Sequence, residues 1–156
     1  MENKKIALEG FEFVWVFGIE PIMVDDENIY QYTAYENFNN HRDLKLHRYG
    51  KGPFCKFFVP KRWKGIRGVY LFLVNSNLKY IGECEDLESR FNTGYGNISP
   101  RNCYEGGQQT NCRINHLILE AAMKESEISI FFLETQNHKR IEERLRYSLK
   151  PPWNRI

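Results

Sequence analysis

Gly68-Val69-Tyr70-Leu71-Phe72-Leu73-Val74-Asn75-Ser76-Asn77-Leu78-Lys79-Tyr80-Ile81-Gly82 is the stretch around which the chain is organised. Gly68 to Val74 runs almost unbroken through β-branched, aromatic and aliphatic residues, the pattern of a buried strand. Leu78 to Gly82 reads as a second strand. Between them, Asn75-Ser76-Asn77 supplies side chains that bond their own backbone and tolerate unusual angles, so a tight hairpin is predicted. Tyr70 and Tyr80 stand ten residues apart, one on each arm. A shared sheet face is expected for them, and a one-residue slip in register is enough to separate them. Glu83-Cys84-Glu85-Asp86 then ends the second strand and feeds a short helix, Asp86 to Phe91, which presents Arg90.

Upstream, Phe11, Phe13, Trp15 and Phe17 alternate along a strand with one aromatic face. A short helix fits Asp26 to Phe38 poorly, because of its three tyrosines. Phe54 to Val59 is a further predicted strand, stopped by Pro60. Downstream, Asn92 to Asn111 reads as an irregular glycine-containing loop, of a length that in compact domains usually signals function or mobility. Asn111 is the predicted cap of a helix to about Lys124, with Ile114, Leu117, Ile118, Ala121 and Ala122 as its apolar stripe. Glu127 to Glu134 alternates as a strand. Asn137 begins a last helix, buried through Ile141, Leu145 and Leu149 and ended by Pro151-Pro152.

Composition bounds the class. A chain of 156 residues, 42% hydrophobic and 27% charged, holds an adequate core and is neither a membrane protein nor disordered. No apolar run approaches ~20 residues, and no export signal is evident at the start, which favours the cytoplasm. The four cysteines, Cys55, Cys84, Cys103 and Cys112, form no Cys-x-x-Cys pair, so free thiols are expected over a zinc site or a Cys103–Cys112 bridge. The net charge of +2 conceals an asymmetry. Residues 1–40 hold two lysines against eight acids, whereas residues 42–67 hold nine basic residues against Asp43 alone. That basic stretch, interleaved with Tyr49, Phe54, Phe57, Phe58 and Trp63, suits phosphate contact and base stacking. A solvated basic loop is the plainer reading of the same residues.

Gly68-Val69-Tyr70, Tyr80-Ile81-Gly82, Arg90 ten residues after Tyr80, and Glu142 ahead of Pro151-Pro152-Trp153-Asn154 together resemble the GIY-YIG nuclease superfamily. The resemblance covers Gly68 to Asn154. It implies an α+β fold, a small antiparallel sheet flanked by helices in the order strand, strand, helix, helix, strand, helix. The periodicity reading reaches the same order. Residues 1–67 then form an N-terminal β-containing extension to a nuclease domain of residues 68–156.

The resemblance also assigns roles. Glu142 would hold one divalent cation, Mg2+ with Mn2+ able to substitute, leaving other positions to water and phosphate. Arg90 would grip the phosphate, its planar donors never losing their charge. Tyr70 would position or activate the water, Tyr80 would hold the phosphate or water, and Lys79 would assist. Asn154 would fix the C-terminal turn. Many members carry a histidine about one helical turn after the arginine. Here Gly94 stands there, with Tyr95 beside it, so the general base is left open among Tyr70, Tyr95, Lys79 and His116.

DNA contacts are expected from Lys61, Arg62, Lys64 and Arg67 in the basic stretch. Further contacts are expected from Arg101, Asn102, Gln108 and Gln109 in the polar loop and from Arg113 just beyond it. The large extra domains of repair and homing members are absent, so the expectation is a sequence-specific restriction-type endonuclease acting on double-stranded DNA. It would be homodimeric, because one site cuts one strand, and a cognate methyltransferase would accompany it. The alternatives are a structure-specific or nicking repair nuclease, and a non-cleaving nucleic-acid-binding protein on the same fold.

Overall fold

Val74 and Asn77 close the hairpin around Asn75 and Ser76, whose φ angles of 49° and 69° are the positive values that a two-residue turn demands. This is seen in a computed structural model describing residues 4–38 and 43–155. The strands so joined, β3 (Gly68–Val74) and β4 (Asn77–Cys84), belong to a five-stranded sheet with β1 (Lys5–Leu8), β2 (Phe11–Gly18) and β5 (Ile128–Glu134). Its order is β1-β2-β5-β3-β4 and every pairing is antiparallel. The expected α+β class and element order are therefore observed. Among the described residues three α-helices accompany the strands: the single turn α1 (Leu87–Ser89), α2 (Gln109–Met123) and α3 (His138–Leu149).

β1 and the Glu9-Gly10 turn behind it, both residues at positive φ, escaped the sequence reading because the strand is four residues long. The aromatic face of β2 is also shorter than expected. Its register shifts between Trp15 and Phe17, so Phe11, Phe13 and Trp15 join one core cluster while Phe17 leaves it.

The chain divides into two compact units, each discontinuous in sequence. Met1–Ile19, Val59–Arg90 and Ser126–Ile156 form the first, and Glu20–Phe58 with Phe91–Glu125 the second. The expected boundary after residue 67 is not where the chain divides. β5 has two edges to satisfy, and β2 takes the one that β3 leaves, so residues 5–18 belong to the same sheet as the β3–β4 hairpin. The basic stretch is shared: 43–58 lies in the second unit, 59–67 in the first, and Arg42 outside the described residues.

The core of the first unit lies on the face of Val69, Leu71, Leu73 and Ile81, covered by Leu145 and Ile141 of α3. The second unit has a core of Ala34, Phe54, Ile98, Cys103, Tyr104 and Cys112. Neither predicted element of its N-terminal half forms. Asp26 to Phe38 holds a 3-10 turn at Tyr35–Asn37 and isolated bridges at Ile29 and Tyr32, the latter to Phe54. The backbone of Cys55 is satisfied by a side chain instead: its N–H donates to Asn115 Oδ1 at 2.9 Å and its carbonyl accepts from Asn115 Nδ2 at 2.8 Å. The loop expected over 92–111 is largely structured, with a π-helical turn at Arg90–Tyr95, a 3-10 turn at Pro100–Cys103 and α2 from Gln109. Asn111 is therefore inside the helix and buried rather than capping it. All four cysteines are free and buried.

The glycines of the central hairpin are fixed by packing. A Cβ at Gly82 would lie 2.3 Å from Tyr70 Cζ, and one at Gly68 would lie 2.1 Å from the Leu133 carbonyl oxygen. Gly82→Ala is predicted to cost about 1–3 kcal/mol by overpacking, measured by urea denaturation. Most of that loss should vanish in a Tyr70→Leu background, since the clash is with the ring; an equal loss in both backgrounds would place its cause elsewhere.

Candidate active site

The two motif tyrosines do share a face, and a β-bulge is the reason. Leu73 pairs with Leu78 but Phe72 pairs with Tyr80, leaving Lys79 as the extra residue. An unbroken register would set Tyr80 opposite Leu71 and turn it to the other face. With the bulge, Tyr70 opposes Gly82, and its ring lies 6.3 Å from that of Tyr80, centroid to centroid. Phe72 completes the cluster at 6.0 Å from Tyr70, with Trp153 packed 5.9 Å from Phe72. Tyr70 is wholly buried, whereas Tyr80 and Lys79 are half-buried.

The C-terminal tail runs along the outer edge of β4. Trp153 N–H donates to the Lys79 carbonyl at 2.8 Å. Asn154 pairs with both backbone groups of Ile81, accepting from its N–H and donating to its carbonyl at 2.9 Å each. This edge pairing is the geometric content of the Asn154 expectation.

A second group gathers at the end of β4. Asp86 caps α1, accepting from Ser89 N–H at 3.0 Å, and α1 delivers Arg90 as its C-cap. Arg90 and Lys139 line one cleft of about 320 Å³ with Glu83, Cys84, Glu85, Asp86 and Ser89. Glu142 lies one turn further along α3, its side chain only 13% exposed, with Arg146 Nε at 2.6 Å. Burial holds the Glu142 carboxyl above the usual carboxylate range, against the opposing pull of Arg146; Glu83 adds to the rise.

His138, which the sequence reading passed over, is buried in this group and touches both Glu83 and Glu85. Its spacing four residues before Glu142 was the available signal. Arg67 is drawn in as well, with Nε 2.6 Å from Glu85 Oε2 and a guanidinium N–H donating to Gln136 Oε1 at 2.6 Å. Its charge is thus engaged with an acid, whereas Lys61, Arg62 and Lys64 on and just after the neighbouring 3-10 turn are exposed, Arg62 lying 5.3 Å over the ring of Trp63.

The remaining candidates belong to the second unit. Tyr95 is wholly buried, edge-on to Phe91 at 5.4 Å, with its carbonyl accepting from Asn115 Nδ2. That is a core position rather than an exposed base. His116 faces the Pro53 carbonyl at 3.0 Å and Glu120 at 3.3 Å. Arg101 donates to the Glu105 carbonyl, and Asn102 Oδ1 accepts from Gln108 N–H at 3.0 Å, so both brace their own loop. Gln108 and Gln109 are exposed, and Arg113 is half-buried in the first turns of α2.

No cluster of three or more His, Cys, Asp or Glu side chains suited to a metal occurs among the described residues. What is present is Glu142, a largely buried carboxylate near a second one, Glu83. Hard oxygen donors of this kind fit a magnesium-like ion that keeps most of its waters. No helix among the described residues is long and apolar enough to cross a membrane.

No family model matches the chain, and no curated protein matches it either. Among solved structures, the chain is similar to a mutant form of bacteriophage T4 EndoII. The TM-score is 0.53 and the identity 15%, over 92% of each chain. The two share a fold over nearly their whole lengths.

The raised Glu142 carboxyl has a consequence for stability. A raised acid binds its proton more tightly folded than unfolded. Ionising it therefore costs stability as pH rises from the ordinary glutamate range, about 4.3, through the raised folded value. Glu142→Gln is predicted to melt at or above the wild-type temperature at pH 7, with the difference closing by pH 4. A lower melting temperature for the variant at pH 7 would mean that Arg146 outweighs burial.

Proposed function

We propose that this chain is a divalent-cation-dependent endonuclease that hydrolyses DNA phosphodiester bonds, of the restriction type. The observation that carries the reading is the cleft at the end of β4. There Arg90 and the first turn of α3 line one wall-to-wall space, a turn away from Glu142. The motif resemblance and the fold shared with T4 EndoII support it.

Glu142 holds the cation, and the bound ion supplies Lewis acidity and charge neutralisation at the scissile phosphate. Arg90 grips non-bridging oxygens and meets the charge that grows on them in the transition state. Tyr80 and Lys79, partly open to solvent, orient the water or phosphate. Tyr70 is buried beneath Tyr80 and Gly82 and acts by placing that tyrosine cluster and its hydroxyl. Asn154 keeps the β4 edge in register with the tail. Lys61, Arg62 and Lys64 bind backbone phosphates of double-stranded DNA, and Gln108, Gln109 and Arg113 read bases. Two copies are needed for a double-strand break, and a companion methyltransferase protects the host site.

Plasmid digestion with magnesium tests the function directly. Discrete fragments mark sequence-specific cleavage, nicks or smears a structure-directed nuclease, and no product a binding protein. In single-turnover cleavage, Glu142→Ala should abolish product while leaving cation-free DNA binding intact. Arg90→Ala should lose ~10²-fold or more in rate, and Tyr70→Phe should fold normally, so that any loss is chemical. Wild-type cleavage by Glu142→Ala would sink the cation assignment.

DNA contact is read separately, from binding in calcium. Neutralising Lys61 and Lys64 should flatten the salt dependence by about one unit of slope per lost phosphate contact. Arg67→Gln, whose guanidinium is already engaged, should change it less. Slopes unchanged from wild type in all of these variants would make the basic turn a solvated surface.

A further inference from the structure

A cavity of about 200 Å³ opens in the second unit, and every residue lining it belongs to that unit. Three rings lead to it in a row. Phe54, wholly buried, lies 5.9 Å from Tyr32, and Tyr32 lies 5.8 Å from Tyr30 at an interplanar angle of 17°. Tyr30 ends the row and is 40% exposed, with Tyr32 its only ring neighbour among the described residues. Backbone holds the row in place. Tyr32 N–H donates to the Phe54 carbonyl at 3.0 Å and Phe54 N–H to the Tyr32 carbonyl at 2.8 Å, while Tyr30 N–H donates to the Ile22 carbonyl at 2.8 Å. The Tyr32 hydroxyl accepts from Ile98 N–H at 2.8 Å, which ties its ring to a second segment of the lining. An aromatic surface anchored in this way is prepared for stacking before any ligand arrives.

The polar part of the lining carries a single charge. Lys56 is the only ionised side chain in it, since burial pushes the Tyr32 phenol up to about 12. Lys56 is half-buried, and its ammonium pairs with no acid among the described residues. Asn37 and Asn97 line the same cavity, and neither side-chain amide is bonded within the described part of the chain. Each offers a donor and an acceptor side by side. A stacking ring, two amide edges and one unpaired cation complement a nucleotide, which has a planar base, hydrogen-bonding groups along its edge and a phosphate. The volume is below the roughly 300–1,000 Å³ of sites for drug-sized ligands, so it suits one ring system rather than a whole cofactor. A base still inside a duplex cannot enter, because its neighbours cover both of its faces.

We propose that this cavity binds a single unstacked nucleotide of a DNA strand, the base lying on Tyr30 with its edge toward Asn37 and Asn97 and its phosphate on Lys56. The choice of DNA rests on the endonuclease reading. The cavity itself depends neither on Glu142 nor on a cation. The second unit thereby favours strands in which one nucleotide stands out of the helix.

The test is binding by the full chain without divalent cation, so that nothing is cleaved. Two duplexes are compared, identical except that one carries an extra, unpaired 2-aminopurine. The wild type should bind the bulged duplex about ten-fold tighter than the paired one, the scale of one base stacked on an aromatic ring. It should also quench the fluorescence of the probe. Tyr30→Ala should erase the preference and the quenching, whereas Tyr30→Trp should keep both, because the ring face acts and not the hydroxyl. The exposure of Tyr30 means that its removal leaves no hole in the core. Lys56→Gln should weaken binding of the bulged duplex and lower its salt slope by about one unit, with the paired duplex unaffected. A wild type without preference, or a preference that survives Tyr30→Ala, overturns the proposal. Displacement of the bulged duplex by micromolar adenosine monophosphate would assign the cavity to free nucleotides and overturn the strand assignment. No plasmid cleavage with magnesium, the preference being intact, refutes the endonuclease and leaves the cavity standing; cleavage without the preference does the reverse.

Discussion

β3 is the constraint on which the first unit depends. Its seven residues are all buried and hydrogen-bond to β4 along one edge and β5 along the other. Such a strand has no freedom to slide: a shift by one residue would exchange Val69 and Leu71, facing α3, for Tyr70 and Phe72, facing the other way. Its flanking glycines follow from the same crowding. Gly68 leaves room for the Leu133 carbonyl and Gly82 for the ring of Tyr70. The short motif that marks this chain is thus first a packing solution, and its tyrosines acquire positions because their neighbours have none to spare.

That logic explains which parts of the molecule were legible in the sequence. The hairpin, β5 and α3 could be read because strand alternation, helical spacing and Pro151 all agree locally. The bulge at Lys79 could not. Nothing at Lys79 itself distinguishes a bulged residue, and the shift is settled by which residues β3 must bury. The end of α3 was equally readable, with Lys150 in the left-handed region just before the prolines.

The second unit resisted for a different reason. Its backbone is satisfied by side chains distant in sequence, chiefly Asn115, which bonds Cys55 on both sides and the Tyr95 carbonyl as well. A strand propensity at Phe54 to Val59 has no ladder to join there, so it yields an extended segment with one bridge. Tyr95 was selected for its place after Arg90, yet the same Asn115 contact locates it in a core. Spacing along the chain singled out Glu142 and Arg90 as candidates. It missed His138 because the importance of that residue lies in the β4 carboxylates it faces.

Glu142 on α3 is hard to account for by stability alone. Glu142 is largely buried, its carboxyl is raised by that burial, and a second carboxylate repels it. Replacing such a group by an apolar residue of similar size is often neutral or stabilising in proteins. The neighbouring positions Ile141 and Leu145 show that this helix can present apolar side chains to the sheet. Arg146 offsets only part of the penalty, since the net shift is still upward. A carboxylate kept where it costs stability, beside a cleft lined by Arg90, marks the place where local stability has been ceded to a charge requirement. On the proposed function, a dication at Glu142 would meet that requirement by compensating this buried carboxylate.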